Sequence, residues 1–158
     1  MPDQIEFRQA WSKFPTGVSV VTTHEPDGNV HGMTANGINS ISLDPLLVMV
    51  CAGHNTNSHD FIKQSGRFAI SILSDAQESI AEYFARRPEN RTGDVEVSFS
   101  FTQSGAALVD DALASMDCKL VSEHIAGDHT IFIAEVEEIQ TNSGNPLVYY
   151  ESKFSRLS

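Results

Sequence analysis

A stretch rich in β-branched residues, Val18-Ser19-Val20-Val21-Thr22-Thr23, is joined to a second stretch, Val30-His31-Gly32-Met33-Thr34, through Glu25-Pro26-Asp27-Gly28-Asn29. Proline presets one backbone angle, Asp and Asn hydrogen-bond their own backbone, and Gly accepts positive φ, so this connection is a turn. It is too short for a crossover helix, and the two stretches must fold back as an antiparallel hairpin. The same pattern recurs along the chain. Ile38-Asn39-Ser40-Ile41-Ser42-Leu43 is strand-like, Asp44-Pro45 turns, and Leu46-Leu47-Val48-Met49-Val50-Cys51 is continuously apolar, as expected of a strand buried on both faces. Phe68 to Leu73, Val95 to Phe101, Ala114 to His124, Thr130 to Ile139 and Leu147 to Tyr150 read as further strands. Turns fall at Ala126-Gly127-Asp128 and Asn142-Ser143-Gly144-Asn145-Pro146.

Helical periodicity is confined to short pieces. Phe7, Ala10, Trp11 and Phe14 fall on one helical face ended by Pro15-Thr16-Gly17. Asn55-Thr56-Asn57-Ser58 offers several N-caps to a helix that Gly66 closes, and Ser74 to Gln77 starts another carrying Ile80, Ala81, Tyr83 and Phe84. A polar loop, Arg86 to Gly93, follows it. The chain predicts one domain over residues 1–158, mainly β, an antiparallel barrel closed or nearly so with short capping helices. Strand and helix do not alternate over most of the chain and no GxGxxG or GxxxxGK[ST] run occurs, which argues against a doubly wound parallel sheet.

Ten basic against 21 acidic residues give a net charge of −11. That field repels nucleic acid and anionic membranes, so any bound phosphate must be captured locally, by backbone N–H groups and one or two placed cations. The N-terminal residues lack the basic-then-apolar order of a secretory signal, and no apolar run approaches the ~18 residues of a membrane span, so the cytoplasm is the expected compartment. Cys51 and Cys118 form no CxxC pair and read as reduced and packed. His54, His59 and Cys51 lack metal-ligand spacing, and no metal is expected.

Three segments carry chemistry. Gly32 to Ser40 sets small and polar residues inside strand, letting a flat ligand approach the backbone; a kinked barrel corner at Gly37 explains the same residues equally well. Ala52 to Ser58 places a polar loop between a buried strand and a helix start, where free N–H groups coordinate phosphate, with Ser58 and Thr56 hydroxyls and Lys63 or Arg67 in support. An ordinary N-cap has the same composition. Gly127-Asp128-His129-Thr130 fixes a histidine beside an acid at a strand start, suited to hydrogen bonding or proton transfer, or simply a surface turn.

Taken in order, Phe14-Pro15-Thr16-Gly17-Val18, Gly32-Met33-Thr34-Ala35-Asn36, Ser40-Ile41-Ser42-Leu43-Asp44-Pro45, Gly66-Arg67-Phe68-Ala69, Ala126-Gly127-Asp128-His129-Thr130 and Pro146-Leu147-Val148-Tyr149-Tyr150 resemble the flavin reductase-like family. The resemblance runs from about Phe7 to Leu157. It implies an FMN-binding split β-barrel, an antiparallel Greek-key barrel built as a homodimer, with FMN or FAD near the subunit interface. Thr34, Ala35, Asn36, Gly37 and Ser40, with Met33 in the same block, would face the isoalloxazine and ribityl chain. Cys51, Asn55, Thr56, Asn57 and Ser58 would hold the ribityl and phosphate groups. His129 resembles the family's histidine at the nicotinamide and flavin face, with Tyr149 near it, and Arg86, Arg87 and Arg91 resemble a loop reaching phosphate or adenine. The family usually has Ser where Gly37 stands and an aromatic where Ile38 stands.

The implied activity is hydride transfer from NADH or NADPH to flavin, with His129 as the catalytic residue and a separate oxygenase as the taker of reduced flavin. Two other expectations share the fold: a flavin-bound electron carrier or reductase that does not use NAD(P)H directly, and a non-catalytic dimeric binding module.

Overall fold

A computed structural model describes residues 1–158. Helix α1 (Gln4–Trp11) begins with a reciprocal cap: the Asp3 carboxylate accepts from the N–H groups of Ile5 and Glu6, and the Glu6 carboxylate accepts from the N–H of Asp3. After the two-residue strand β1 (Thr16–Gly17) come β2 (Ser19–His24) and β3 (Val30–Ala35), the hairpin read from the turn. Next are β4 (Ile38–Leu43), β5 (Leu46–Gly53), helix α2 (Asn57–Ser65), β6 (Arg67–Ile72) and helix α3 (Glu78–Ala85). The chain finishes with β7 (Phe99–Phe101), β8 (Ala107–Val109), β9 (Ala114–Ala126), β10 (His129–Thr141), β11 (Leu147–Tyr150) and β12 (Lys153–Arg156). Every strand pair is antiparallel, and no helix is long and apolar enough to cross a membrane.

Seven strands form one sheet in the order β3-β2-β6-β9-β10-β5-β4. Its two edges, β3 and β4, are consecutive in the chain, linked only by Asn36 and Gly37. Three residue steps span at most about 10 Å, so the sheet must roll until its edges meet at that end. The result is a barrel split along the β3/β4 seam, with Asn36-Gly37 as its hinge point.

Burial follows from this rolling. Val21, Phe68 and Ile70 point into the barrel with Val50, Phe132, Ala134 and Ile62 of α2. On the other side of β2, Val18 and Val20 pack with Leu73, Ala81, Phe84 and Leu147. β2 and β6 are therefore the long strands buried on both faces, and the three-residue β8 is buried throughout as well. β5 is not: Val48, Val50 and Ala52 are buried, but Leu47, Met49 and Cys51 are half-buried and Leu46 is 43% exposed. Its continuous apolarity misleads because the α3 layer packs over β2 and β3 instead.

Two further departures have local causes. Val95 to Phe101 forms a strand only at Phe99–Phe101, because its partner β8 offers three residues to pair with. Helix α1 buries none of its residues: Phe7, Trp11 and Phe14 stack on one another, with ring centroids 6.3 and 5.7 Å apart, yet stay 57–62% exposed.

Candidate functional site

A cleft of about 920 Å³ opens beside the barrel seam, walled by the end of β3, the start of α2, the loop after α3, and the β11–β12 hairpin. Met33, Thr34, Ala35 and Asn36 line it from β3, Asn55, Thr56, Asn57 and Ser58 from the helix start, Arg86 and Arg91 from the loop, and Tyr149 from β11. Segments about 20 residues apart thus share one wall, because the rolled sheet brings the end of β3 beside the end of β5.

At the helix start, Thr56 caps α2. Its hydroxyl accepts from the N–H of His59 at 3.4 Å and donates to the carbonyl of Gly53 at 2.7 Å. The cap satisfies the third helical N–H, while those of Asn57 and Ser58 have no intrahelical acceptor. Gly66 ends the helix in the left-handed region at φ 68°.

The loop arginines differ in what they already hold. Arg86 pairs with Asp94 through two N–H···O contacts of 2.8 and 3.1 Å. This raises the Arg86 pKa and pulls that of Asp94 down to about 2. Arg91 donates to the carbonyls of Gly32, Phe84 and Arg86 at 2.9–3.2 Å and lies over the Phe84 ring, 5.1 Å from its centroid. It pins the loop to β3 and α3, and burial lowers its pKa. Arg87, exposed on the same wall, has no ion-pair partner. It is the loop's uncommitted cation.

Other expected residues lie outside the lining. Gly37 and Cys51 meet behind the seam, where the Cys51 N–H donates to the Gly37 carbonyl at 2.9 Å. A Cβ on Gly37 would stand 3.5 Å from that of Cys51. Ser40 lines a separate apolar hollow of about 360 Å³ with Ile38, Leu47 and Met116. Lys63 sits at the far end of α2, paired with Glu123 at 3.2 Å, and Arg67 is bound to Asp117 and Glu137. His129 stands at the rim. In register it faces Gly53, and its Nε2 lies 3.7 Å from where a Cβ on Gly53 would be, a point 3.1 Å from the Asn55 amide oxygen. The Asp128 carboxylate contacts its Nδ1 at 2.7 Å, which lowers the Asp128 pKa.

Sequence reasoning passed over His31 and Phe84 as lining residues. The period of two along β3 carried the signal for His31, which shares a face with Met33 and Ala35. His31 is 4% exposed, its Nε2 is 2.7 Å from the Ser58 hydroxyl, and burial, then Arg91, lower its pKa to about 4. His54 and His59 each reach the buried Thr130 hydroxyl at 2.9 Å, tying the α2 start to β10.

The model of the "Flavin reductase like domain" family matches residues 11–158. An NADH-dependent flavin reductase of a Rhodococcus species is 37% identical over 155 residues, covering 97% of this chain and 86% of the relative. Among solved structures, a flavin reductase in its native state superposes with a TM-score of 0.92 at 41% identity, covering 99% of both chains. The styrene monooxygenase flavin reductase of Pseudomonas putida superposes with a TM-score of 0.88 at 34% identity, covering 96% of this chain and 97% of that one.

Proposed function

The chain belongs to the flavin reductase-like domain family, and from that premise we propose that residues 1–158 act as one domain that reduces FMN or FAD with NADH or NADPH. The observation that carries this reading is the convergence of Met33-Thr34-Ala35-Asn36 and the α2 start on one cleft of about 920 Å³.

The residues present fit a phosphorylated flavin. Met33, Ala35, Phe84 and Phe154 give the cleft an apolar wall for a ring system. The open N–H groups of Asn57 and Ser58, with the positive end of α2, suit the phosphate, and Arg87 adds a charge free of internal partners. Bound flavin supplies the acceptor chemistry for a nicotinamide hydride. The protein contributes alignment and electrostatics. Backbone groups at Ala35 to Gly37 lie at the seam to hydrogen-bond the polar edge of the ring, and Cys51 backs that turn. His129, its Nδ1 engaged by Asp128, offers Nε2 at the rim to orient the nicotinamide amide, and Tyr149 lines the cleft from β11.

Released reduced flavin would serve a separate oxygenase, as the relative named for styrene monooxygenase suggests. A second copy of the chain is proposed to cover the exposed aromatic face of α1. Oxidation of NADH and NADPH is followed with FMN, FAD and riboflavin in turn. Flavin-dependent consumption supports the assignment, and no consumption with any pair overturns it.

A further inference from the structure

Ser58 is the second residue of α2 and is 4% exposed, and its hydroxyl is held by one side chain, His31, at 2.7 Å. A neutral imidazole carries one N–H, and where it sits decides what Ser58 offers the cleft. With the proton on Nδ1, Nε2 accepts the serine proton and only lone pairs of Oγ face the cleft. With a proton on Nε2, the imidazole donates to Oγ and the serine proton is free to point outward. An anion needs the second arrangement.

We propose that His31 is the positioning residue that turns Ser58 into a hydrogen-bond donor toward the flavin phosphate, and that binding of a phosphorylated flavin is coupled to proton uptake at His31. This rests on the placement of the phosphate at the α2 start argued above. The surroundings of the ring set the coupling. Glu25, in the β2–β3 turn, has a carboxylate oxygen 3.8 Å from Nδ1, Arg91 approaches from the loop after α3, and Phe61 of α2 packs edge-on with centroids 5.0 Å apart. Without a ligand, burial and Arg91 keep the ring neutral. An anion at the helix start offsets Arg91, and the imidazolium then donates to Ser58 from Nε2 while its Nδ1–H faces Glu25.

The test compares FMN with riboflavin, which lacks the phosphate, by quenching of flavin fluorescence on the full chain from pH 5 to 8. The wild type is expected to prefer FMN, and His31→Phe to reduce that preference roughly tenfold, the scale of one hydrogen bond to a charged group. His31→Gln keeps a donor that does not titrate. Its preference should follow only the ionisation of the phosphate itself, so the wild-type curve should exceed it at low pH and converge on it as pH rises. If His31→Phe keeps the full preference, or the His31→Gln and wild-type curves superpose, the inference fails while the site assignment stands. If the wild type binds riboflavin as tightly as FMN, the phosphate placement fails and the inference with it. Should His31→Phe not fold, the His31→Gln comparison decides alone.

Discussion

Gly32 lies flat under the ring of Phe84: a Cβ built on Gly32 would sit 2.7 Å from the nearest ring carbon. β3 and α3 can meet only because that position has no side chain, and the contact forms part of the cleft wall. Phe84 is 7% exposed and held beneath Arg91, so the ring has little room to yield. Gly32→Ala should therefore destabilise the fold by about 1–3 kcal/mol, as overpacking does. Chemical denaturation measures this, and flavin affinity should weaken in parallel because Phe84 moves.

The loop arginines should separate by function. Arg87→Ala removes the uncommitted cation and is expected to weaken FMN binding about three- to tenfold, with a shallower dependence on salt. Lys63→Ala, which breaks only the pair with Glu123 outside the cleft, should leave FMN affinity within about twofold. Arg91→Met deprives three carbonyls of their donor and should raise amide exchange across Arg86 to Gly93 while sparing β9 and β10. Binding titrations and hydrogen exchange read these outcomes.

Stability of the ligand-free protein should depend on pH through His31. Its folded pKa is lowered to about 4 from an ordinary 6.5. Between those values the unfolded chain binds a proton that the folded chain does not, so stability is fully present above 6.5 and declines toward pH 4. The loss relative to His31→Gln should reach on the order of 3 kcal/mol. Urea unfolding of both proteins across that range measures it, and a constant offset between them would refute the assignment.

Trp11 is the chain's one tryptophan and is 57% exposed on α1. If a second copy covers that face, its emission shifts to the red on dilution as the dimer separates, and Trp11→Glu raises the monomer fraction. Sedimentation velocity gives the independent reading. Concentration-independent emission and mass would place the partner surface elsewhere.

The legible parts of the fold were those with local causes. The β2–β3 turn, the Thr56 cap and the Gly66 terminus act within a few residues of themselves, and each element stands where its turn or cap put it. Burial was legible only by halves. Period two says that His31, Met33 and Ala35 share a face, but not what covers it. The apolar run Leu46–Cys51 therefore promised two buried faces that belong to β2 and β6 instead. The short strands β1, β8 and β12 escaped notice because each is only two to four residues long: β1 is held extended by the distant β11, and β8 and β12 by the neighbouring strands β7 and β11.

A mainly β chain of antiparallel hairpins, a phosphate-suited helix start at Asn57 and the order of blocks that marks the family all follow from the residues read in line. That Met33–Asn36 and Asn55–Ser58 wall one cleft emerges only once the sheet is rolled. The same holds for Arg86 and Arg91 being committed to internal partners while Arg87 is free, and for His31 holding Ser58. The reason is physical: turns and caps are settled by short-range backbone chemistry, whereas which faces meet, and which charges find partners, depends on how a seven-stranded sheet rolls until its first and last edges join at Asn36-Gly37.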